Sequence, residues 1–182
     1  MNRLFIALKI PGEIRKEIIN FRNKAWANNS SLKWEPEDKI HLTLKFLGDV
    51  EESLTNQIAG LIQFVSDYSS FECRLTRFGF FYKNNEPKIL WIGLNINNKI
   101  FEIVERLNKE LEKFAIPAER KKFNPHITVK RLKGDEGKEF INRFEKFKLP
   151  EVEFKASEIA LIKSELLPAG SKYTEIKNYK LK

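Results

Sequence analysis

The sequence predicts an α+β fold made of two similar halves, and three observations lead to this prediction. Some short segments are apolar or alternate between apolar and polar residues, as strands do, while others repeat apolar residues at helical spacing. The order strand, helix, strand, helix, strand occurs twice along the 182 residues. The middle strand of each half begins with a His-x-Thr motif. We therefore predict a single domain over residues 1–182 built from two intertwined lobes, with the internal repeat at approximately 3–82 and 87–163.

The first half contains three predicted strands and two predicted helices. Strand-like segments cover residues 4–10, 40–47 and 71–82. The first ends at Pro11-Gly12, which favours the start of a helix, and the second ends at Gly48-Asp49, which favours a turn. Apolar residues at helical spacing follow each of these two strands and predict helices over residues 14–25 and 54–65.

The second half repeats this order and adds a strand at its end. Residues 83–87 are predicted to form the hairpin loop that leads into it. The clearest helical stripe of the chain lies at 100–114, and a shorter polar helix is predicted over 137–147. Strand-like segments cover residues 88–96, 123–129, 152–162 and 173–181.

The two His-x-Thr motifs occupy equivalent positions in the halves. In the first half 36 residues separate Phe5, near the strand start, from His41, and in the second half 37 residues separate Ile89 from His126. Two such halves packed about a pseudo-twofold axis bring the motifs face to face across a cleft. The same two histidines are the only ones in the chain.

The composition indicates which partners, metals and compartment to expect. The net charge of +8, from 33 Lys and Arg against 25 Asp and Glu, favours a polyanionic partner, although a basic surface that maintains solubility has the same composition. A single cysteine, Cys73, forms no intramolecular disulfide, and with only two histidines we expect neither a metal nor a cofactor. No segment approaches a membrane span or a signal peptide. We expect a soluble, cytoplasmic monomer.

The two motifs have the residue types that phosphoryl chemistry needs. Because side chains alternate along a strand, His41 and Thr43 share one face, and His126 and Thr128 do the same. In-line displacement at phosphorus needs a base and an acid on opposite sides of the reacting atom. Imidazole serves in both roles near neutral pH, and threonine hydroxyls can donate hydrogen bonds to phosphate oxygens. A lone His-x-Thr is expected by chance, but two matched copies favour a catalytic pair.

Four segments resemble the 2H phosphoesterases, and in particular the bacterial and archaeal RNA 2',3'-cyclic phosphodiesterases, also called 2'-5' RNA ligases. They are residues 3–8, residues 41–48 with Trp34 before them, residues 78–80 followed by 90–94, and residues 123–128. The resemblance implies two pseudo-symmetric lobes with antiparallel sheets that line a central cleft and helices outside. It implies that His41 donates a proton to the leaving 3' oxygen, that His126 accepts one from water, and that Thr43 and Thr128 hold the phosphate. It also implies a 2'-phosphomonoester product and reversible 2'-5' ligation without ATP.

Arg131 matches an arginine that commonly follows the second motif in this family, which implies a phosphate contact. Strict alternation places it opposite His126, so the strand has to end or bulge before it. The alternative is a surface charge. Ser164 and Tyr173, in a C-terminal segment that also fits the family, are predicted to be structural.

Three further residues are candidates for contact with the base or the RNA. Phe46 is an aromatic that can stack on a base, but alternation favours the core face for it. Trp34 either lines the rim of the cleft or is a buried anchor. Lys122, in the basic segment 120–122, either guides an RNA backbone or belongs to a solvated loop.

The sequence leaves alternatives for the substrate. The predicted partner is RNA with a 2',3'-cyclic phosphate end, such as a tRNA fragment, or a small cyclic nucleotide. The first alternative keeps the fold and changes the substrate to 2',5'-oligoadenylate or ADP-ribose cyclic phosphate. The second is a non-catalytic module that binds RNA ends, although binding alone does not need two titrating groups.

Overall fold

The architecture is one curled, antiparallel sheet of eight strands with four α-helices, seen in a computed structural model that describes residues 1–27, 32–168 and 170–182. This confirms the predicted fold class. The strands are β1 (Asn2–Lys9), β2 (His41–Val50), β3 (Phe71–Lys83), β4 (Glu86–Ile96), β5 (His126–Arg131), β6 (Glu153–Ala156), β7 (Glu158–Leu167) and β8 (Gly170–Lys180). The helices are α1 (Gly12–Ala25), α2 (Thr55–Leu61), α3 (Lys99–Leu111) and α4 (Gly137–Lys146).

The order of the strands is symmetric about its centre. It runs β6-β3-β4-β5-β2-β1-β7-β8, so each strand with a His-x-Thr motif lies beside the first strand of its own half. The third strand of each half pairs with the other half, because β3 lies beside β4 and β7 lies beside β1. The two central strands meet at the register pair Leu42 and Ile127, each of which directly follows a histidine. The halves are therefore interleaved in one sheet.

The predicted strand at 152–162 is wrong, because the segment forms two strands in different parts of the sheet. β6 pairs with β3 at one edge, and β7, which begins after Ser157, pairs with β1. Buried and exposed residues alternate in β6, whereas Ile159, Ala160 and Leu161 of β7 are buried in succession. The apolar run from Ile159 after the alternating residues 152–156 is a signal that the sequence contains. The predicted second helix also ends early, because residues 62–67 continue as a 3-10 helix.

The core lies between the sheet and the helices and comes from the predicted apolar stripes. Residues 4–8 of β1 are all almost fully buried, and so is one face of α3. The buried residues of α3 are Ile100, Ile103, Val104, Leu107 and Leu111. Burial of one such aliphatic side chain is worth about 1.5–3 kcal/mol, so the stripe fixes the helix against the sheet. The Asn97 side chain accepts a hydrogen bond from the Lys99 amide at 3.0 Å where this helix begins.

One extra residue interrupts each central strand at the same place. The pairs that flank the interruptions are Ala7↔Thr43 and Ile6↔Lys45 in β2, and Trp91↔Thr128 and Leu90↔Lys130 in β5. Leu44 and Val129 are the extra residues, each three positions after its histidine. A bulge of this kind shifts the alternation by one residue. Phe46 and Arg131 therefore return to the face that bears the histidines.

A close packing contact connects the sheet to the second histidine. Gly79 pairs with Trp91 across β3 and β4, and a Cβ added at Gly79 would overlap the indole ring. The Trp91 ring packs against Phe81 at 5.4 Å between centroids, and Phe81 meets the His126 ring edge to face at 4.7 Å. The absence of a side chain at Gly79 thus makes room for the aromatic residues that support His126.

Gly79→Ala is expected to lower the free energy of unfolding by about 1–3 kcal/mol, because the added methyl group must displace a packed indole ring. Chemical denaturation measures the change. Gly60→Ala is the matched control, since nothing lies within 4 Å of a Cβ built on this helical glycine. The control should be as stable as the parent protein or up to about 1 kcal/mol more stable. Equal stability of the two variants would show that the Gly79 contact is not tight.

Candidate active site

The structure brings both His-x-Thr motifs into one cavity. His41 and Thr43 from β2 and His126 and Thr128 from β5 all line a cleft of about 810 Å³. Their side chains are half-buried, whereas the aliphatic residues between them are fully buried. The alternation expected from the sequence holds up to the bulge in each strand. The positions agree with the predicted site, while the catalytic roles stay predictions.

His41 is held by aromatic packing and by a hydrogen bond within its own motif. Its ring stacks on Phe5 at 5.1 Å between centroids and meets Tyr173 edge to face at 5.7 Å. Its Nε2 lies 3.1 Å from the Thr43 hydroxyl. Burial lowers the pKa of His41 to about 4, against a backbone hydrogen bond that raises it, and the positive charges of Arg131 and His126 lower it further. In the free site His41 is therefore neutral at pH 7.

His126 has a defined tautomer. Its Nδ1 donates a hydrogen bond to the carbonyl oxygen of Asn124 at 2.7 Å. Because a carbonyl oxygen only accepts, the neutral ring has its proton on Nδ1, and Nε2 is able to accept another. Burial lowers the pKa of His126, and the hydrogen bond to Asn124 opposes this shift. The arrangement suits a general base.

Arg131 reaches the cleft because of the bulge at Val129. The sequence required such an irregularity, and the structure has it. The guanidinium Nε lies 3.4 Å from a carboxylate oxygen of Glu35, and 64% of the Arg131 side chain is exposed. The cation is accessible to an anion in the cleft, which is what a phosphate contact requires.

Phe46 lies on the cleft face, and the interpretation that favoured the core is wrong. The side chain is 58% exposed and lines the cleft. The bulge at Leu44 causes the difference, because it reverses the alternation between Thr43 and Phe46. The exposed ring is accessible for stacking. Tyr173, expected to be only structural, also lines the cleft.

Trp34 and Lys122 have different environments. Trp34 packs against Phe140 and Phe144 at 6.0 and 5.9 Å between ring centroids, with the Arg22 guanidinium 5.2 Å from its ring. It is a partly buried anchor that lines a second cavity beside the cleft rather than the cleft itself. Lys122 is exposed and lines the cleft.

Sequence reasoning did not find several residues that support the histidines. Phe5, Phe81 and Tyr173 contact the imidazole rings, and Asn124 fixes the tautomer of His126 through its backbone. A backbone carbonyl has no sequence signal, and the aromatic contacts join strands that are distant in sequence. Ser164 lines the second cavity, which the sequence did not indicate either.

Two buried lysines link each central strand to a loop of the other half. Lys45 and Lys130 each lie four residues after a histidine and are each 2% exposed. Lys45 Nζ donates to the carbonyl of Pro117 at 2.5 Å, in the segment that leads to His126. Lys130 Nζ donates to the carbonyl of Lys33 at 3.4 Å, in the segment that leads to His41. Each lysine thus connects the strand that bears one histidine to the segment that precedes the other histidine.

Lys130 has a buried counter-ion. Its Nζ lies 3.2 Å from Glu136, and the two side chains are 3% and 2% exposed. The Glu136 carboxylate also accepts backbone hydrogen bonds from Lys133 and Gly134 at 3.1 and 3.0 Å. Burial raises the pKa of Glu136, but these hydrogen bonds and the one from Lys130 outweigh it, so the pKa is lowered overall. The lowered pKa keeps the Glu136 carboxylate charged, and its contacts with Lys130, Lys133 and Gly134 fix the loop after β5.

Among residues 1–27, 32–168 and 170–182 there is no group of three or more His, Cys, Asp or Glu side chains placed to hold a metal ion. Over the same residues, no helix is both long and apolar enough to cross a membrane.

A family model for the 2'-5' RNA ligase superfamily matches residues 10–166. Curated relatives are similar over nearly their whole length. One is the RNA 2',3'-cyclic phosphodiesterase of Methanocaldococcus jannaschii, 33% identical over 97% of this chain and 99% of the relative. Another is the RNA 2',3'-cyclic phosphodiesterase of Thermotoga maritima, 30% identical over 94% of this chain and 91% of the relative.

Solved structures have the same fold. TT0787 of Thermus thermophilus superposes with a TM-score of 0.79 at 26% identity and covers 98% of this chain and 97% of its own. LigT of E. coli, solved in complex with 3'-AMP, superposes with a TM-score of 0.78 at 23% identity and covers 99% and 98%. The similarity to LigT concerns the fold alone.

Lys130→Met is expected to lower the free energy of unfolding by about 3–5 kcal/mol, because it leaves the Glu136 carboxylate buried without its counter-ion. Denaturant titration measures the loss. Adding Glu136→Gln to Lys130→Met should recover part of it. The control is Arg74→Met, which removes an exposed ion pair with Glu151 and should cost less than about 1 kcal/mol. Equal losses in Lys130→Met and Arg74→Met would contradict a structural role for the buried pair.

Proposed function

The chain belongs to the 2'-5' RNA ligase superfamily, and from this we propose that it hydrolyses RNA 2',3'-cyclic phosphate ends to 2'-phosphomonoesters. The observation that carries the proposal is the presence of both His-x-Thr motifs in one cleft, on adjacent strands. The relatives named RNA 2',3'-cyclic phosphodiesterase support it, since two of them are at least 30% identical over more than nine-tenths of the chain. The protein is then an RNA 2',3'-cyclic phosphodiesterase.

In the proposed mechanism the cyclic phosphate lies between the two histidines. His126 Nε2 accepts a proton from water as the water oxygen bonds to phosphorus, and the bond from phosphorus to the 3' oxygen breaks on the opposite side. Protonated His41 donates its proton to the 3' oxygen. His126 ends the step protonated and His41 neutral, and exchange with solvent restores both. The ribose keeps its 2' phosphate.

Three other side chains act on the phosphate in this proposal. Thr43 and Thr128 donate hydrogen bonds from their hydroxyl groups to the non-bridging oxygens, and Arg131 contributes a positive charge. Their common location in the cleft supports these roles. When a 5'-hydroxyl attacks in place of water, the same step joins two RNA ends in a 2'-5' linkage without ATP, and the reverse of that step cleaves the linkage and re-forms the cyclic phosphate.

His41 needs a proton before it can act as the acid. In the free site burial lowers its pKa to about 4, so few molecules have it charged near neutral pH. A bound phosphate is an anion, and an anion beside an imidazole favours the charged form. Substrate binding therefore raises the pKa of His41 and supplies the acid where it is used.

The same proposal covers the substrate, the compartment, the oligomeric state and the domain organisation. We place the substrate among RNA ends such as tRNA fragments, with small cyclic nucleotides as minimal substrates, and the protein in the cytoplasm as a monomer. The single cysteine, Cys73, is buried and free, which suits a reducing compartment. The domain consists of two intertwined lobes, with halves at approximately 3–82 and 87–163, and the symmetric order of the sheet supports this division.

His41→Ala and His126→Ala are each expected to lower kcat on a 2',3'-cyclic phosphate by about 100-fold or more, and the double variant should be little worse than either. The assay contains EDTA, in which the parent protein should stay active. Thr43→Ser, which keeps the hydroxyl group, should retain more activity than Thr43→Val. Full activity in both single histidine variants would contradict the mechanism. Tight RNA binding without turnover by the parent protein would instead favour a binding module.

The pH dependence should differ between the free protein and its complex. The productive form has His41 protonated and His126 neutral, and its population is largest between the two pKa values. Both are lowered below 6.5 in the free site, so kcat/KM should be highest below pH 6.5 and fall as His41 loses its proton. The optimum of kcat should lie at higher pH because the bound phosphate raises both values. An optimum of kcat/KM at or above that of kcat would contradict this.

A further inference from the structure

A second cavity opens beside the cleft on the side of His41. Its volume is about 750 Å³. Phe5 and Tyr173, the two rings that pack against His41, both line it, whereas Phe81, which packs against His126, does not. Five residues line both spaces and form the passage between them: Glu35, Lys39, Phe46, Arg131 and Tyr173. The two cavities therefore form one continuous groove that runs from His126 past His41.

The second cavity is strongly basic. Arg3, Lys33 and Lys133 line it without lining the cleft, in addition to the shared Lys39 and Arg131. Glu35 is the one acidic residue among the described residues that line it, and it is paired with Arg131. The excess of positive charge favours an anionic ligand.

Two of these cations converge on one point. A Cβ built on Gly170, at the start of β8, would lie 3.8 Å from Lys39 Nζ and 3.9 Å from Lys33 Nζ. An anion beside Gly170 would therefore be close to both ammonium groups and could accept a charge-assisted hydrogen bond from each. Ser171 follows Gly170 and also lines the cavity, so a hydroxyl group is close to the same place.

One aromatic ring contacts both His41 and a lysine of the second cavity. The centroid of the Tyr173 ring is 5.7 Å from the imidazole centroid and 5.6 Å from Lys39 Nζ. The exposed ring of Phe46 lies in the passage between the cavities, where it offers a face to a base. An anion held by Lys39 would thus lie near a strand whose terminal phosphate is at His41.

The proposed chemistry gives the direction of the strand. If His41 protonates the 3' oxygen, the ribose of the terminal nucleotide lies on the His41 side, and the water or 5'-hydroxyl that attacks lies on the His126 side. The 5' part of the terminal nucleotide then points toward the second cavity.

We propose that the second cavity binds the phosphate on the 5' side of the terminal nucleotide, so that the protein recognises an RNA strand rather than an isolated cyclic nucleotide. This rests on the proposed function, including the assignment of His41 as the acid. The lysines and Arg3 hold the 5' phosphate, and Phe46 stacks on the terminal base. The groove around His126 is left for water or for the 5'-hydroxyl end of a second strand.

The test compares three substrates: a nucleoside 2',3'-cyclic phosphate, the same molecule with a 5' phosphate, and a dinucleotide with a 2',3'-cyclic phosphate end. The 5' phosphate should raise kcat/KM by about tenfold or more, and the gain should shrink as salt is added. The dinucleotide should show a similar gain. Equal kcat/KM values for all three substrates would overturn the assignment of the cavity but leave the proposed function intact. Hydrolysis of none would contradict the proposed function itself.

Variants of the lysines that line the second cavity test whether this cavity causes the gain from the 5' phosphate. Lys33→Gln combined with Lys133→Gln should remove most of the gain that the 5' phosphate gives, measured as the ratio of kcat/KM values. Lys155→Gln is the matched control, because this exposed lysine on β6 lines neither cavity and should keep the full ratio. An unchanged ratio in the double variant would overturn the proposal. So would a double variant that loses ligation to a 5'-hydroxyl end while its hydrolysis ratio stays the same, since that would assign the cavity to the attacking strand.

Discussion

The pairing of β2 with β5 is the contact on which the rest of the structure depends. It joins two four-stranded half-sheets, and its register pair, Leu42 with Ile127, consists of the residues that follow the two histidines. Because neighbouring strands of a sheet are about 5 Å apart, this pairing alone brings His41 and His126 into one cleft. Without it the two motifs would belong to separate surfaces, and neither could supply both an acid and a base.

The bulge in each central strand determines what surrounds that pair. By shifting the alternation once, it gives each strand a histidine and a threonine on the cleft face, then a buried lysine, then a side chain that returns to the cleft. The returning side chains differ, Phe46 in one strand and Arg131 in the other. The two strands thus have the same backbone irregularity but different side chains in the cleft. This difference suits a substrate with a base at one end and a phosphate at the other.

Burial stabilises the packing around His41 but disfavours its charged form. The aromatic residues that stabilise His41 also take it out of water, which lowers its pKa and leaves it neutral in the free site. In the proposed mechanism a bound phosphate compensates for this, because an anion favours the charged imidazole. An anion bound beside Gly170 would likewise be close to the amines of Lys33 and Lys39. Both features make the groove more favourable for a phosphodiester strand than for a neutral ligand.

The sequence by itself determined most of the strands, the helices, the candidate histidine pair and the family, because these depend on local periodicity and on two motifs with matched spacing. It also showed that Arg131 needs a bulge to reach the cleft. It did not place Phe46 in the cleft, divide 152–162 into β6 and β7, or show Tyr173 beside His41 and the basic cavity beyond it. Those features depend on which strands pair and in what register, and side chains distant in sequence meet only when the sheet has formed.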